Sequence, residues 1–218
     1  MQNSPLLQKI GLKEHNGINV PLFSIYSKTS CGIGEFPDLI PLISWCKEVS
    51  FDIIQLLPLN DTGLETSPYS AISAFALNPI HLGLAELPFA LSHKNLKLRI
   101  EKMQELNQLK RCNYKAVREL KDAFLNEYYA LYGKKKIESE EFQSFKQEHP
   151  WLKPYALYKT LRITHDWKSF EDFPHNLKNP TILIYQELLI TYKDEIDFHC
   201  FVQYLCFNQF EGVKKFAN

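Results

Sequence analysis

The residues with chemical potential crowd into one segment, Asp61 to Leu82, DTGLETSPYSAISAFALNPIHL, which follows the apolar run Phe51–Pro58. A carboxylate at the mouth of a buried strand can serve as a general acid or base, and Asp61 is the carboxylate here that follows such a strand. Its setting, Asn60-Asp61-Thr62-Gly63, equally suits a side chain that caps a turn, and capping is the favoured reading. Tyr69 follows Pro68, so its backbone entry is restricted and its ring direction is set early. A fixed phenol offers a flat apolar face and one hydrogen-bonding tip, which suits a sugar ring with its CH faces and hydroxyl rim. Binding and core packing weigh equally for Tyr69 on spacing alone.

Other combinations fail on inspection. Gly32-Ile33-Gly34 lets the backbone turn tightly, but it lacks the Lys-Ser/Thr of a phosphate loop and the full GxGxxG pattern. The seven histidines never pair at metal-ligand spacing, and no GxSxG is present. Glu171-Asp172 and Glu195/Asp197 lie in polar or helical stretches and read as solvated faces.

The elements that must position the segment are legible around it. Residues 17–26 read as a strand apolar on both faces, the pattern of a parallel sheet covered by helices. A glycine-punctuated turn follows, and apolar spacing predicts a helix over 36–49, with Pro37 in its first turn. Residues 51–57 form the second expected strand. This order is one βα unit and the strand after it. In a parallel barrel both following loops, 27–34 and 60–69, emerge at the face where binding sites are built.

From residue 92 onward the pattern is helical, with expected segments at 93–111, 114–132, 138–148, 151–165 and a pair near 181–217. Ser139-Glu140-Glu141 reads as a helix start, and Gly133 with Lys134–Lys136 as a helix end and solvated turn. Two parallel strands do not make a stable core alone, and a (β/α)8 barrel takes about 250 residues before insertions. The expected architecture is therefore α/β, the first two strands of a TIM barrel with a large, mostly helical insertion. Residues 1–91 hold the first barrel units, 92–192 the insertion, and 193–218 a helix leading toward a third strand.

Composition excludes several classes. Lys plus Arg and Asp plus Glu are each 25, so the formal net charge is zero and the chain has no footprint for nucleic acid or an anionic membrane. Aromatics are 13%; most serve packing, and a few exposed rings would suit sugar stacking. Cys31, Cys46, Cys112, Cys200 and Cys206 show no CxxC pairing, which fits free thiols in a reducing compartment. The amino terminus lacks a signal-peptide pattern and no run reaches the length of a membrane span, so the cytoplasm is the expected location.

Several strings, in order, resemble the 4-alpha-glucanotransferases, or amylomaltases, of glycoside hydrolase family 77. They are Val20–Ser24 with Gly32-Ile33-Gly34-Glu35-Phe36; Ile54-Gln55-Leu56-Leu57-Pro58-Leu59; Ser67-Pro68-Tyr69 with Ser73–Pro79; Trp151–Leu157; and the helix from Ile196 to Phe210. The resemblance implies a (β/α)8 barrel that moves α-1,4-glucan segments between maltooligosaccharide acceptors in glycogen and maltodextrin metabolism. The implied mechanism is retaining, with one carboxylate as nucleophile and one carboxylic acid as acid and base, and without metal or organic cofactor. Tyr69 carries over as a donor-site residue and Ser67 as a weaker polar contact. Gln55 and Asn78 match patterned positions; Gln55 can instead brace the barrel interior, and Asn78 can instead cap a turn. No catalytic carboxylate carries over: the family's come from strands beyond the third, which is expected after Asn218. On this reading the chain is a truncated enzyme, inactive alone. The alternatives are a non-catalytic glucan-binding or interaction remnant, or a half-enzyme completed by a second chain that supplies the missing part of the barrel.

Overall fold

The computed structural model describes residues 14–218. The signal-peptide expectation therefore rests largely on residues outside those described. Strand β1 (Gly17–Val20) pairs in parallel with β2 (Ile53–Leu56), Gly17 opposite Ile53 and Val20 opposite Leu56. Helix α1 (Leu39–Glu48) connects them, so the predicted βα unit and its following strand are present.

Both strands are shorter than the sequence suggests. β1 stops at Pro21, which carries no N–H for the ladder, and Leu22–Ser24 form a 3-10 turn. The expectation of strands buried on both faces is also corrected. Burial alternates along β2: Ile54 and Leu56 line a groove with α1 and the last helix, while Ile53 and Gln55 are exposed on the other face. Among the described residues, helices cover only one face of this two-stranded sheet.

The remainder is helical, as predicted. Helices α2 (Lys94–Gln104), α3 (Tyr114–Tyr128), α4 (Glu140–Glu148), α5 (Leu152–Thr164), α6 (Ile182–Thr191) and α7 (Lys193–Ala217) follow in order. Asn113, Ser139 and Thr181 cap α3, α4 and α6 by accepting the backbone N–H of Ala116, Phe142 and Ile184. The expected helix end at Gly133 is corrected: α3 continues through a π-helical turn, Tyr129–Gly133, into Lys134–Lys136, and Lys136 pairs with Glu141.

Helix α7 organises the core. Every residue from His199 to Cys206 is buried, the signature of a helix surrounded on all sides. It packs against α5, α1, α4 and the π-helical turn, and one continuous apolar cluster runs from Leu22 through Phe36, Phe124 and Phe142 to Phe201 and Val213. All five cysteines are free thiols, four of them buried. No helix among the described residues is long and apolar enough to cross a membrane.

Candidate functional site

Two loops leave the carboxyl ends of β1 and β2 and are stitched to each other. The first bears the Gly32-Ile33-Gly34 turn. Gly32 sits at φ +80°, where only glycine is unstrained. A Cβ on Gly34 would fall 1.8 Å from the carbonyl oxygen of Leu22, so this glycine permits close backbone approach. Asn107 holds the turn from α2's side, accepting from the Gly32 N–H at 2.9 Å and donating to the Ser30 carbonyl at 2.6 Å.

Lys121 joins the loops. It is buried on α3, and its Nζ donates to Glu35 Oε1 at 2.6 Å and to the carbonyls of Ile80 and Leu82 at 2.7 and 2.8 Å. Burial pushes the Glu35 carboxyl up, opposed by the charge and hydrogen bond of Lys121. His81 adds a second stitch, its Nδ1 2.8 Å from the Gly34 carbonyl oxygen. Since a carbonyl only accepts, Nδ1 carries the proton. Burial pushes His81 down to about 4, with the bond to Gly34 opposing and Lys121 adding to the depression.

That depression predicts a pH signature. The unfolded histidine binds a proton below about 6.5, whereas the folded one stays neutral to about 4. Stability from His81 is therefore present above about pH 6.5 and is lost as pH falls toward 4, by about 1.4 kcal/mol per unit. A His81→Asn variant should show a flatter dependence over that window by this slope, measured by urea unfolding at stepped pH.

The loop after β2 is closed at its base. Asn60 and Leu77 form an antiparallel bridge, the Asp61 N–H donates to the Ala76 carbonyl at 2.8 Å, and the Asn78 N–H donates to that of Leu59 at 2.8 Å. Gln203, buried on α7, clamps Leu77 by accepting from its N–H at 2.9 Å and donating to its carbonyl at 2.8 Å.

Asp61 anchors the same base. Its Oδ1 accepts the Gly63 N–H at 3.0 Å, and its Oδ2 accepts the Tyr155 hydroxyl and Lys159 Nζ, each at 2.6 Å. Burial pushes the carboxyl up, but Lys159, Tyr155 and Gly63 together outweigh it and hold Asp61 below its usual range. Of the two readings open for Asp61, the structure shows the cap, reinforced by an ion pair. Glu35 and Asp61, the carboxylates following the two strands, are thus both consumed in holding loops.

The other singled-out residues separate. Tyr69 stands at the loop tip, 72% exposed. Ser67 shapes that tip: its Oγ accepts the Tyr69 N–H at 3.4 Å, and its carbonyl accepts the Ser70 N–H at 3.1 Å. Asn78 is buried; its Oδ1 accepts the Ile80 N–H and its Nδ2 donates to Thr62 Oγ1. Gln55 projects from the exposed face of β2, opposite the helices. Phe75, which sequence reading did not single out, is 61% exposed and stacks on Trp151 with centroids 5.8 Å apart. Behind the loop lies a cavity of about 290 Å³ that Asp61 and Asn78 share with Arg118, Lys159 and Trp167; Tyr69, Ser67 and Gln55 do not line it. Among the described residues no group of three His, Cys, Asp or Glu could hold a metal ion.

The residues that sequence reading missed left a faint signal. Lys121 interrupts the apolar stripe Val117, Phe124, Leu125, Tyr128, and Gln203 interrupts the apolar run of α7. A polar residue on a buried stripe needs a partner.

The geometry defines a class: a parallel α/β protein whose strand-end loops present exposed aromatic and hydroxyl-bearing side chains. The profile of the 4-alpha-glucanotransferase family matches residues 20–218, and the chain belongs to that family. It is 40% identical to a 4-alpha-glucanotransferase of Chlamydia caviae, with 100% of this chain covered and 42% of the relative, and 42% identical to one of Chlamydia trachomatis, with 96% and 40% covered. The 4-alpha-glucanotransferase DPE2 of rice is 32% identical over 92% of this chain and 22% of its own. The chain thus spans about two fifths of the chlamydial relatives. Among solved structures, the amylomaltase of Streptococcus agalactiae in complex with acarbose superposes with a TM-score of 0.80 at 20% identity, covering 94% of this chain and 41% of that one. The amylomaltase of Corynebacterium glutamicum gives 0.73 at 21% identity, covering 93% and 28%. The fold is that of part of an amylomaltase: two parallel strands of the barrel with a helical insertion.

Proposed function

We propose that these residues are the amino-terminal part of a 4-alpha-glucanotransferase that moves α-1,4-glucan segments between maltooligosaccharides by a retaining mechanism. The observation that carries this reading is the loop after β2: its base is locked by Asp61 and Gln203, and its tip holds Tyr69 out to solvent. A rigid base with an exposed ring is what a stacking residue for a sugar requires, since ordering costs are met before the ligand arrives. Ser67 sets the ring's position, and Gln55, on the face away from the helices, points toward the inside of the barrel in this reading.

In this reading the nucleophile and the acid lie outside these residues; the two carboxylates that follow the strands, Glu35 and Asp61, are buried and bonded. In this reading residues up to 91 supply the first barrel units, 92–192 the helical insertion, and 193–218 the helix leading to a third strand. The sheet supports it: β2 pairs with β1 along one edge, while Ile54 and Leu56 turn toward α1 and α7, the side on which helices pack in a barrel. The free thiols support a cytoplasmic setting.

The test has two parts. The purified chain incubated with maltotriose should release no glucose and form no longer oligomers; turnover would place the catalytic carboxylates within these residues and overturn their placement elsewhere. Calorimetric titration with maltotriose should show Tyr69→Ala binding about tenfold more weakly than the unaltered chain, equivalent to about 1.4 kcal/mol. Equal affinities would remove Tyr69 from the site.

A further inference from the structure

A second group of exposed rings lies outside the β2 loop. Phe89 is 65% exposed and adopts φ +62°, a left-handed conformation that strains a bulky residue. The surroundings fix it there. Its carbonyl accepts the N–H groups of Ser92 and His93, both at 3.1 Å, and the Tyr128 hydroxyl donates to the neighbouring Pro88 carbonyl at 3.1 Å. The ring so held stacks on Tyr132, with centroids 5.4 Å apart and planes 22° from parallel. Tyr132 lies on the π-helical turn, a rare conformation that recurs at functional sites. Two unusual backbone conformations thus bring one aromatic pair to the surface.

The pair forms one wall of an open groove of about 730 Å³, whose far wall is α7 through Tyr204 and Leu205. Its surface is mostly apolar and aromatic. Its charged lining residues balance, Lys135 and Lys136 against Glu86 and Glu141, with Lys136 paired to Glu141, so the rim carries no net charge and the groove favours a neutral ligand. Asn208 adds an amide. An aromatic platform with balanced polar groups at its edge matches a ligand that has apolar faces and hydroxyl rims. The volume suits a molecule of drug-like size, about two or three sugar rings.

We propose that this groove binds a neutral oligosaccharide, apart from the site at Tyr69. The choice of a glucan as probe rests on the function proposed above; the groove's preference for a neutral, hydroxyl-rimmed ligand rests on its own lining. Here the ring of Phe89 covers one sugar face, Tyr132 backs it, and Asn208 and the rim charges meet the hydroxyls. The groove would then hold a glucan chain between the π-helical turn and α7 while another part of it is processed elsewhere.

Methyl spectra of the full chain titrated with maltotriose test this, with Leu131 and Leu205 as reporters inside the groove. Both methyls should shift in the unaltered chain and in Tyr69→Ala with the same affinity. Phe89→Ala should weaken those shifts about tenfold; the ring is exposed, so its removal leaves the core packed. Groove methyls that stay still up to saturation of the Tyr69 site overturn the proposal and leave the glucanotransferase reading standing. Groove shifts that depend on Phe89, with no effect of Tyr69→Ala on any binding, support the groove and count against Tyr69 as a binding residue. No maltotriose binding at either place overturns both. Shifts that appear on raising protein concentration without sugar, with a doubled molecular mass, identify a contact between copies and overturn the proposal.

Discussion

Replacing Lys121 with Met should destabilise the protein by about 3–5 kcal/mol, the cost of removing one partner from a buried ion pair. The loss exceeds a single contact because Nζ holds Glu35 and two carbonyls, Ile80 and Leu82, in a site from which water is excluded. Without it, Glu35 is left as a buried carboxyl whose affinity for protons burial already raises. The pH response gives the sign. A carboxyl held above its unfolded value binds a proton more tightly when folded, so its contribution is fullest below about pH 4.3 and is lost as pH rises through its folded value. Lys121→Met should therefore be least deficient in acid and most deficient near neutrality. Urea unfolding across that range checks it, and Glu35→Gln placed in the Lys121→Met background should recover part of the loss by removing the orphaned charge. A deficit independent of pH would show that Lys121 acts through its packing and its bonds to the two carbonyls, without the charge of Glu35.

Replacing Asp61 with Asn should cost about 3 kcal/mol, at the lower end of the same range because Lys159 retains some access to solvent. Asn preserves an acceptor for the Gly63 N–H and leaves Lys159 without its counter-charge. Here the sign is opposite to that of Glu35. Asp61 is held below its usual range, so its stabilisation is present above about pH 3.9 and is lost as pH falls through its lower folded value. The variant should lack that part of the acid transition. Its loop should also loosen, because Asp61 ties residues 60–78 to α5 through Tyr155 and Lys159. Limited proteolysis should cut the variant within residues 62–75 at least tenfold faster, since the base of the loop opens at a lower free-energy cost. Cleavage at the native rate would show that Gln203 and the backbone bridge secure the loop without the Asp61 carboxylate.

Much of the frame was legible in the residue pattern. Apolar periodicity located α1 to α7, because helix faces are set by local spacing, although α2 ends at Gln104 rather than at the expected 111. The helix start at Ser139 is local as well; the caps Asn113 and Thr181 came only from the structure. The strand–loop signature around Ser67-Pro68-Tyr69 was enough to mark the family, since turn chemistry is written in adjacent residues. Local pattern failed where a distant partner decides. Gly133 with three lysines reads as a helix end, yet packing against Phe201 carries the helix through a π turn. The strands read as buried, yet only one face of β2 meets helices.

By itself, the sequence determined the order of elements, their amphipathic faces and the family to which the chain belongs. Only the tertiary structure decided which rings stay exposed: Tyr69, Phe75 and Phe89 look no different in composition from the Phe and Tyr residues of the core. It also decided that Asp61 and Glu35 are structural, because whether a carboxylate reacts or braces depends on which cation lies beside it. Lys121 stands 86 residues from Glu35 along the chain and Lys159 98 from Asp61. No local spacing rule reaches across such separations; folding brings these charges together, and low solvent access then makes each pairing obligatory.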